Sequence, residues 1–383
     1  MNPLSHHVQT QPPFGTEEWL DFALTDAHCH TVSAAVADTS SFEQLLTESD
    51  RAPARGTSYA DTPLGLAVRR WCAAPLGLPT GAAIEEYLAR RAELGENEVR
   101  RRLLTTAGLS RLCVDTGIGG ERTVPLGALE VAGARAHEVV RLETVAEQLA
   151  AEEPSAQDFA GAFARRLVTA TEHAVAVKSI LAYRHGLDVL ATRPTEQQVM
   201  EAADRWLRSG GGRLVDPVLL RLLLWSAVDL GLPIQLHTGF GDPDLRLRSA
   251  DPGLLQPFIE AAEPSGTPIL LLHCYPYHRS AGYLAAMYPT VYADVGLTLS
   301  HVGARAPAVL GEFLELAPFG KLVFSTDAYG LPELYAVGAS QFRWALGQVL
   351  DEWVAQSACT SRDAARIARL IGHENADRML PAD

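Results

Sequence analysis

The sequence predicts an α/β fold, a (β/α)8 TIM barrel, from three observations. Short apolar runs alternate with amphipathic helical patterns, and this alternation produces a parallel sheet covered by helices. Eight such runs are present, which is the number that closes into a barrel. Polar side chains follow several of these runs, at the strand ends where barrels build their active sites. A chain of 383 residues fits one barrel with insertions.

The first predicted strand begins at Leu24 and ends in Asp26-Ala-His28-Cys-His30. The seven strands predicted after it are residues 109–115, 137–143, 174–180, 233–237, 268–273, 291–294 and 322–325. The helical patterns between them are residues 145–151, 156–171, 195–209, 216–231, 251–262, 280–288, 307–316 and 336–355. Strands and helices therefore alternate from residue 109 onwards.

Three segments lie outside this alternation. Residues 1–20 are polar and predict a flexible N-terminus, which leaves residues 21–383 as one barrel domain. Residues 35–107 have apolar residues at helical spacing, broken by prolines, and predict a helical insertion after the first strand. We expect an insertion of this length to form a lid over the site or a dimer contact. Residues 363–380 predict a helical tail on the outside of the barrel.

The composition indicates a globular cytoplasmic protein. The formal net charge of −14 argues against nucleic acid or an anionic membrane as a partner, because both require clustered lysine and arginine. The five cysteines are widely spaced and form no C-x-x-C pair, which is typical of reduced thiols. We see no signal peptide and no apolar run of membrane length. The expected partners are a small-molecule substrate and a second copy of the chain in a homodimer.

Five side chains are candidates for a metal site. His28 and His30 are alternate residues of the first strand, so both point to one side, and two neutral imidazoles at this spacing can bind one metal ion. His237, His273 and Asp327 each lie at the end of a later strand or just after it. Because the carboxyl ends of barrel strands meet on one face, all five are expected to converge. Structural roles explain each residue alone but not all five together.

Lys178 lies inside an otherwise apolar strand, which is costly unless its ammonium finds a partner or loses its charge. Three roles stay open for it: a carboxylated lysine that bridges two metal ions, a cation that binds a substrate carboxylate, or a side chain that reaches the barrel rim. Tyr183 and Arg184 follow on the next loop, and the Arg184 guanidinium suits a bidentate carboxylate contact. A surface arginine explains Arg184 equally well.

This arrangement resembles the amidohydrolase superfamily of metal-dependent (β/α)8 barrels, whose signature is His-x-His on strand one, Lys or Glu on strand four, His on strands five and six, and Asp on strand eight. The residues that fill these positions are His28, His30, Lys178, His237, His273 and Asp327. The opening Asp26-Ala-His-Cys-His and the ending at residues 371–380 are similar to the amidohydrolase-2 branch. Residues 177–186 and the long insertion resemble the amidohydrolase domain of FluG-like and nodulin-like proteins.

The resemblance implies a divalent metal ion, zinc above all, held by His28, His30, His237 and Asp327 with one position left for water. If Lys178 is carboxylated, the resemblance implies two ions, with Lys178 between them and with His237 and His273 bound to the second one.

The resemblance also implies roles in catalysis. Asp327 would accept the proton of the water and pass it to the leaving amine. His273 would polarise the scissile carbonyl or stabilise the oxyanion. Lys178, Tyr183 and Arg184 would bind the substrate, with its carboxylate on the two cations.

The sequence thus predicts a metal-dependent amidohydrolase that cleaves a C–N amide bond in a small carboxylated substrate, and the subgroup favours a γ-glutamyl amide. One alternative is a metal-dependent non-oxidative decarboxylase, in which an acid such as Asp327 protonates carbon. A second alternative is a non-catalytic barrel that binds a ligand, or binds a partner through the helical insertion.

Overall fold

The computed structural model describes residues 20–36 and 38–381, so the predicted flexible N-terminus at residues 1–20 lies outside it except for Leu20. The centre of the fold is a parallel sheet of seven strands in sequence order. The strands are β1 Leu24–His30, β2 Leu109–Asp115, β3 Arg135–Arg141, β4 Ala176–Ser179, β5 Ile234–His237, β6 Ile269–Leu272 and β7 Val291–Ala293. The predicted α/β class and parallel sheet are confirmed.

The α-helices of the described residues surround this sheet, and none of them is long and apolar enough to cross a membrane. They are α1 Thr39–Gln44, α2 Pro63–Trp71, α3 Ile84–Leu94, α4 Glu96–Ala107, α5 Leu142–Ala151, α6 Phe159–Ala170, α7 Leu181–Arg184, α8 Glu196–Arg208, α9 Pro217–Leu230, α10 Gln256–Ala262, α11 His278–Met287, α12 Gly296–Val302, α13 Ala306–Phe313, α14 Pro332–Ala355, α15 Ser361–Arg369 and α16 Asn375–Met379. The sequence patterns do not predict α7 and α12, which are short and directly follow strands.

Residues 322–325, predicted as the eighth strand, do not form a regular strand. Leu322 makes one isolated parallel bridge to Ala293. The backbone N–H of Phe324 donates to the carbonyl oxygen of Ile371 in the C-terminal tail at 2.9 Å. This N–H therefore cannot donate to a neighbouring strand. The segment nevertheless bonds to both edges of the sheet, because Val323 N donates to Ala293 O at 3.1 Å and Ala27 N donates to Phe324 O at 3.0 Å.

Strand β3 lies two residues earlier than the predicted strand 137–143. Leu142 and Glu143 begin helix α5 instead. The Glu143 carboxylate is buried and accepts hydrogen bonds from Ser179 Oγ at 2.6 Å and from Ile180 N at 3.0 Å. These two bonds join the start of α5 to the end of β4, and this long-range contact ends the strand early.

Alternation along the strands separates an apolar interior from a polar end. Cys113 on β2 and Ala176 on β4 belong to a small buried apolar cluster. Two residues further along each strand, on the same side, are Asp115 and Lys178, which are also buried. Polar side chains therefore lie at the carboxyl ends of the strands, and the apolar cluster lies below them as the floor of the site.

The sequence predicts the C-terminal tail on the outside of the barrel, but part of the tail is buried. Ala376, Met379 and Leu380 are buried in the same apolar cluster as Cys113 and Ala176. The burial of these three apolar side chains stabilises the fold, because exposing apolar surface to water costs about 25 cal/mol per Å². The tail thus helps to close the apolar floor below the polar end.

The insertion between β1 and β2 holds helices α1 to α4. Its apolar residues form a separate core with the first turns of α14. A buried polar contact adds to this core, because Glu333 Oε1 accepts from Arg91 Nε at 2.8 Å and from Tyr87 Oη at 3.0 Å. The insertion is therefore packed against α14, beside the segment that holds Asp327.

Candidate metal centre and substrate cavity

The structure brings together the six side chains that the sequence singles out for the metal centre. These are His28 and His30 on β1, Lys178 on β4, His237 on β5, His273 directly after β6, and Asp327 after the irregular eighth segment. The lysine and the four histidines are buried, and the Asp327 side chain is 11 % exposed. The strand ends place all six on one face, for the reason given from the sequence.

One ring nitrogen of His28 is committed to Gln235. His28 Nδ1 lies 2.7 Å from Gln235 Oε1, and Gln235 Nε2 donates to the backbone oxygen of Ala27 at 2.8 Å. Because the amide nitrogen faces a carbonyl, the amide oxygen faces His28, and Nδ1 holds the proton. His28 Nε2 is therefore the unprotonated nitrogen, the form that binds a metal ion.

The same argument fixes His30. Its Nδ1 lies 3.0 Å from the backbone carbonyl oxygen of Asp115. A carbonyl oxygen only accepts, so Nδ1 of His30 donates and its Nε2 has the free lone pair.

Both unprotonated nitrogens face the Asp327 carboxylate. Asp327 Oδ1 lies 3.1 Å from His28 Nε2 and 3.3 Å from His30 Nε2. Three acceptor atoms at these distances repel one another, and Asp327 Oδ1 has no hydrogen-bond donor among the described residues. A cation between them removes this repulsion. Two imidazole nitrogens and a carboxylate are a donor set that zinc and similar divalent ions prefer, so these residues fit a metal ion.

His237 and His273 extend the ring of imidazoles. Their centroids lie 4.7 Å apart, and His273 Nε2 lies 3.5 Å from Asp327 Oδ2. Nε2 of His237 and both ring nitrogens of His273 are buried without a hydrogen-bond partner in the described chain. Burial lowers the pKa of His273 to about 3 and the pKa of His237 well below its usual value. Burial, and after it Lys178, lowers the pKa of His28 to about 4. These three rings are therefore neutral near pH 7, as metal binding requires.

His273 and Asp327 both have left-handed backbones, with φ of 68° and 50°. Such values are uncommon for residues other than glycine, and they concentrate at functional sites. The N–H of His273 donates to Asp294 Oδ1 at 2.8 Å, and its carbonyl accepts from Thr298 Oγ1 at 3.0 Å. The N–H of Asp327 donates to the carbonyl of His28 at 2.9 Å. These contacts hold the two turns that direct both side chains toward the centre.

Lys178 contacts the candidate ligands. Its Nζ lies 2.7 Å from His28 Nε2 and 3.8 Å from Asp115 Oδ2. Because the side chain is only 3 % exposed, the interpretation that Lys178 reaches the barrel rim is wrong. The two other roles, a carboxylated lysine between two ions and a cation for a substrate carboxylate, stay open.

Sequence reasoning missed a buried ion pair beside this lysine. Arg141 Nη2 and Nε lie 2.6 and 3.1 Å from Asp115 Oδ2. Burial would raise the pKa of Asp115, but Arg141 and the neighbouring cations hold it well below its usual value. The pair fixes Asp115, which binds His30 through its carbonyl. Asp115 ends a predicted strand, as His237 does, and this position was an available signal.

Gln235 was missed as well. It is a polar residue two positions before His237 in an apolar run, so alternation places both side chains on one side of β5.

A cavity of about 420 Å³ opens above the centre. The Tyr183 ring lines it and lies against His237, with 4.4 Å between the ring centroids. Leu45 and Glu48 of the insertion form part of the wall. The insertion thus borders the site, as a lid would.

Arg184 also lines this cavity, and its side chain is 10 % exposed, so the interpretation of a surface arginine is wrong. Its Nη1 lies 3.0 Å from Glu147 Oε1, while its Nε is buried without a partner in the described chain. One N–H of the guanidinium is therefore not used by the described protein atoms.

Comparison with known proteins identifies the family of this chain. The amidohydrolase family, in its amidohydrolase-2 form, matches residues 25–382. The protein FluG of Emericella nidulans is 28 % identical over 429 aligned positions, which cover 99 % of this chain and 47 % of FluG. The chain therefore spans about half the length of this curated relative.

Two solved structures are similar to this fold. A proposed metal-dependent hydrolase from Lactobacillus casei has a TM-score of 0.82 and 26 % identity, with 95 % of this chain and 96 % of that chain covered. A uronate isomerase from Thermotoga maritima has a TM-score of 0.65 and 14 % identity, with 96 % of each chain covered, and shares the fold. Because the family match includes every candidate ligand from His28 to Asp327, the chain belongs to the amidohydrolase-2 family.

Proposed function

We propose that this protein is a metal-dependent hydrolase that cleaves the C–N amide bond of a small carboxylated substrate, with a γ-glutamyl amide as the favoured case. The observation that supports it most is the contact of three buried acceptors, His28 Nε2, His30 Nε2 and Asp327 Oδ1, at the base of a cavity. The similarity to a proposed hydrolase from Lactobacillus casei adds to this support, whereas the uronate isomerase shares only the fold.

His28, His30, His237 and Asp327 would hold the divalent ion, most suitably zinc. When bound, such an ion supplies Lewis acidity that makes water nucleophilic near neutral pH. Gln235 keeps His28 in the tautomer that binds it. If Lys178 is carboxylated, the centre would take two ions, and His237 and His273 would bind the second.

Asp327 would move the proton. Its Oδ1 faces the two imidazole nitrogens, which leaves Oδ2 to accept a proton from the attacking water. The water oxygen then bonds to the amide carbon, the C–N bond breaks, and Asp327 returns the proton to the departing amine.

His273 would stabilise the oxyanion. A neutral imidazole has one N–H, and neither ring nitrogen of His273 has a hydrogen-bond partner in the described chain. That N–H can donate to the oxygen of the tetrahedral intermediate, a contact worth about 3 kcal/mol in comparable sites.

Lys178 and Arg184 would bind the substrate carboxylate, and Tyr183 would pack against its apolar part. Arg184 lines the cavity and its Nε has no hydrogen-bond partner in the described chain, which suits this role. The predicted homodimer and cytoplasmic location stay predictions.

Metal content tests the centre. Protein purified without a tag or chelator is analysed by plasma mass spectrometry beside His28→Ala and beside His173→Ala, which removes an exposed histidine. We expect about one or two ions per chain in the wild type and in the control, and a large loss in His28→Ala. No metal in the wild type, even after zinc is added, would contradict the proposal.

Product analysis tests the reaction. A panel of carboxylated amides is incubated with the metal-loaded protein, and released amine and released CO2 are both measured. Amine release that needs Asp327 supports hydrolysis, and CO2 release without amine supports the decarboxylase instead.

A further inference from the structure

The charged side chains of the cavity wall divide into paired and unpaired groups. Each wall arginine has a carboxylate partner at 2.6 to 3.0 Å: Arg141 with Asp115, Arg184 with Glu147 and Arg213 with Asp244. Two other carboxylates of the wall, Glu48 and Asp242, have no lysine or arginine within 4.0 Å in the part of the chain that the structure describes. The basic side chain that does approach one of these acids is His301, whose Nε2 lies 3.7 Å from Glu48 Oε1.

Glu48 and Asp242 reach the cavity from different segments. Glu48 follows α1 in the insertion, and Asp242 lies on the loop after β5. Burial and the neighbouring carboxylates, Glu48 among them, raise the pKa of Asp242. Arg213 acts on Asp242 in the opposite direction, but it contacts Asp244 instead. Two neighbouring acids of one half-buried cavity that no lysine or arginine contacts can bind a positive group of a ligand.

Ser300 provides an independent observation. It lies on α12 next to His301, lines the same cavity and is 4 % exposed. Its Oγ is buried and has no hydrogen-bond partner in the described chain. A buried hydroxyl without a hydrogen-bond partner lowers the stability of the fold by about 1–3 kcal/mol. A ligand or water that bonds to Ser300 removes this cost, so Ser300 also indicates a polar ligand group here.

Tyr183 connects this region with the metal centre. Its ring lies 4.4 Å from that of His237, and its hydroxyl lies so close to Gly241 that a Cβ there would be 1.9 Å away. Asp242 is the next residue along the chain. A Cβ at Gly241 would also lie 3.1 Å from His237 Nε2, so the loop that carries Asp242 borders the candidate metal centre, and a small substrate can reach both.

We propose that Glu48, Asp242 and Ser300 bind a free ammonium group of the substrate, while Arg184 binds its carboxylate. This inference rests on the proposed function and narrows its substrate to compounds with an unmodified amino-acid end, such as a γ-glutamyl amide with a free α-amino group. An N-acylated or deaminated analogue would leave both acids of the cavity unpaired.

Binding of two probes tests the inference without any reaction. L-glutamate and glutarate differ by the ammonium group, and both are titrated into the metal-loaded protein at neutral pH by calorimetry. We expect L-glutamate to bind ~10-fold more tightly or better, since a hydrogen bond to a charged group contributes about 1.5–3 kcal/mol. Glu48→Gln and Asp242→Asn should each weaken L-glutamate about 10-fold and change glutarate less than about 2-fold. Asn keeps the oxygen that accepts from Asp244 N at 2.9 Å.

The control is Glu86→Gln, which removes an exposed acid of the same insertion outside the cavity and should change neither affinity. Equal affinities for the two probes, no binding of L-glutamate, or equal weakening of both probes in the variants would overturn the inference. Amine release from γ-glutamyl anilide and from glutaric acid monoanilide separates it from the proposed function. Equal cleavage of both anilides would support the hydrolase and contradict the ammonium site. No cleavage of either anilide, with a retained preference for L-glutamate, would contradict the hydrolase and still support the ammonium site.

Discussion

Asp327→Asn is expected to make the metal-free protein no less stable while it abolishes metal binding and turnover. Oδ1 of Asp327 lies 3.3 Å from His30 Nε2 and 3.1 Å from His28 Nε2, both unprotonated, and Lys178 Nζ reaches only His28 Nε2, at 2.7 Å. An asparagine of nearly the same shape can turn its NH2 group toward them. One repulsive contact of the metal-free wild type then becomes a hydrogen bond, and the negative charge that attracts the metal ion is lost.

The sizes of these effects differ enough to be separated. A new hydrogen bond adds about 1 kcal/mol. Unfolding entropy of about 2.1 cal/mol/K per residue gives about 0.8 kcal/mol/K for 383 residues, so this bond raises Tm by about 1 °C. A metal at about 1,000 times its Kd stabilises the wild type by about 4 kcal/mol, or about 5 °C. Loss of the proton acceptor lowers kcat by about 10²–10⁴-fold or more.

Thermal unfolding with and without chelator, together with kcat for amine release, measures all three. Chelation should lower Tm of the wild type by several degrees and leave Tm of Asp327→Asn unchanged, and the two chelated proteins should melt within about 1–2 °C. The reasoning fails if chelated Asp327→Asn melts far below chelated wild type, or if the variant retains metal and turnover.

Three more predictions address residues around the centre. Gln235→Leu removes the acceptor of His28 Nδ1 and should weaken metal binding about 10–100-fold in a chelator competition, and an unchanged affinity would contradict the role of Gln235. Arg184→Met should raise KM for a carboxylated amide about 10-fold or more with unchanged metal content, and an equal rise for an uncharged amide would contradict its role. Burial raises the pKa of Asp26 from 3.8 to about 8, so its stabilising contribution is complete below 3.8 and is lost as the pH rises through about 8. The free energy of unfolding of chelated Asp26→Asn, from urea titrations, should therefore increase relative to wild type from about pH 4 to pH 8, and a constant difference would count against this pKa.

The sequence predicts the strands and the meeting of their polar ends well, because both depend on local order. An apolar run of four to seven residues needs only its neighbours to be recognised as a buried strand. The convergence of His28, His237 and His273 then follows from parallel strands whose carboxyl ends share one edge.

The eighth strand could not be predicted correctly, because its irregularity depends on a distant partner. The N–H of Phe324 bonds to Ile371, which follows a long helix in the chain. No local pattern around residues 322–325 contains that information.

The partners of the candidate ligands show the same limit. Gln235 lies 207 residues from His28, and Asp115 lies 85 residues from His30. Alternation places each of these side chains on the inner side of its strand, but it does not specify which ring each one meets. That depends on the register between β1 and β2 and on how the sheet curls.

These partners determine more than geometry. A histidine at neutral pH offers only one unprotonated nitrogen, and the acceptor at Nδ1 selects Nε2 for both members of the His-x-His pair. The amide of Gln235 is itself oriented by the carbonyl of Ala27, the residue before His28. The two histidines can therefore bind one ion together only after β1, β2 and β5 have taken their places in the sheet. Metal binding must then be coupled to folding of the sheet. A centre built this way binds its ion to the native state alone, so every part of its affinity adds to native stability.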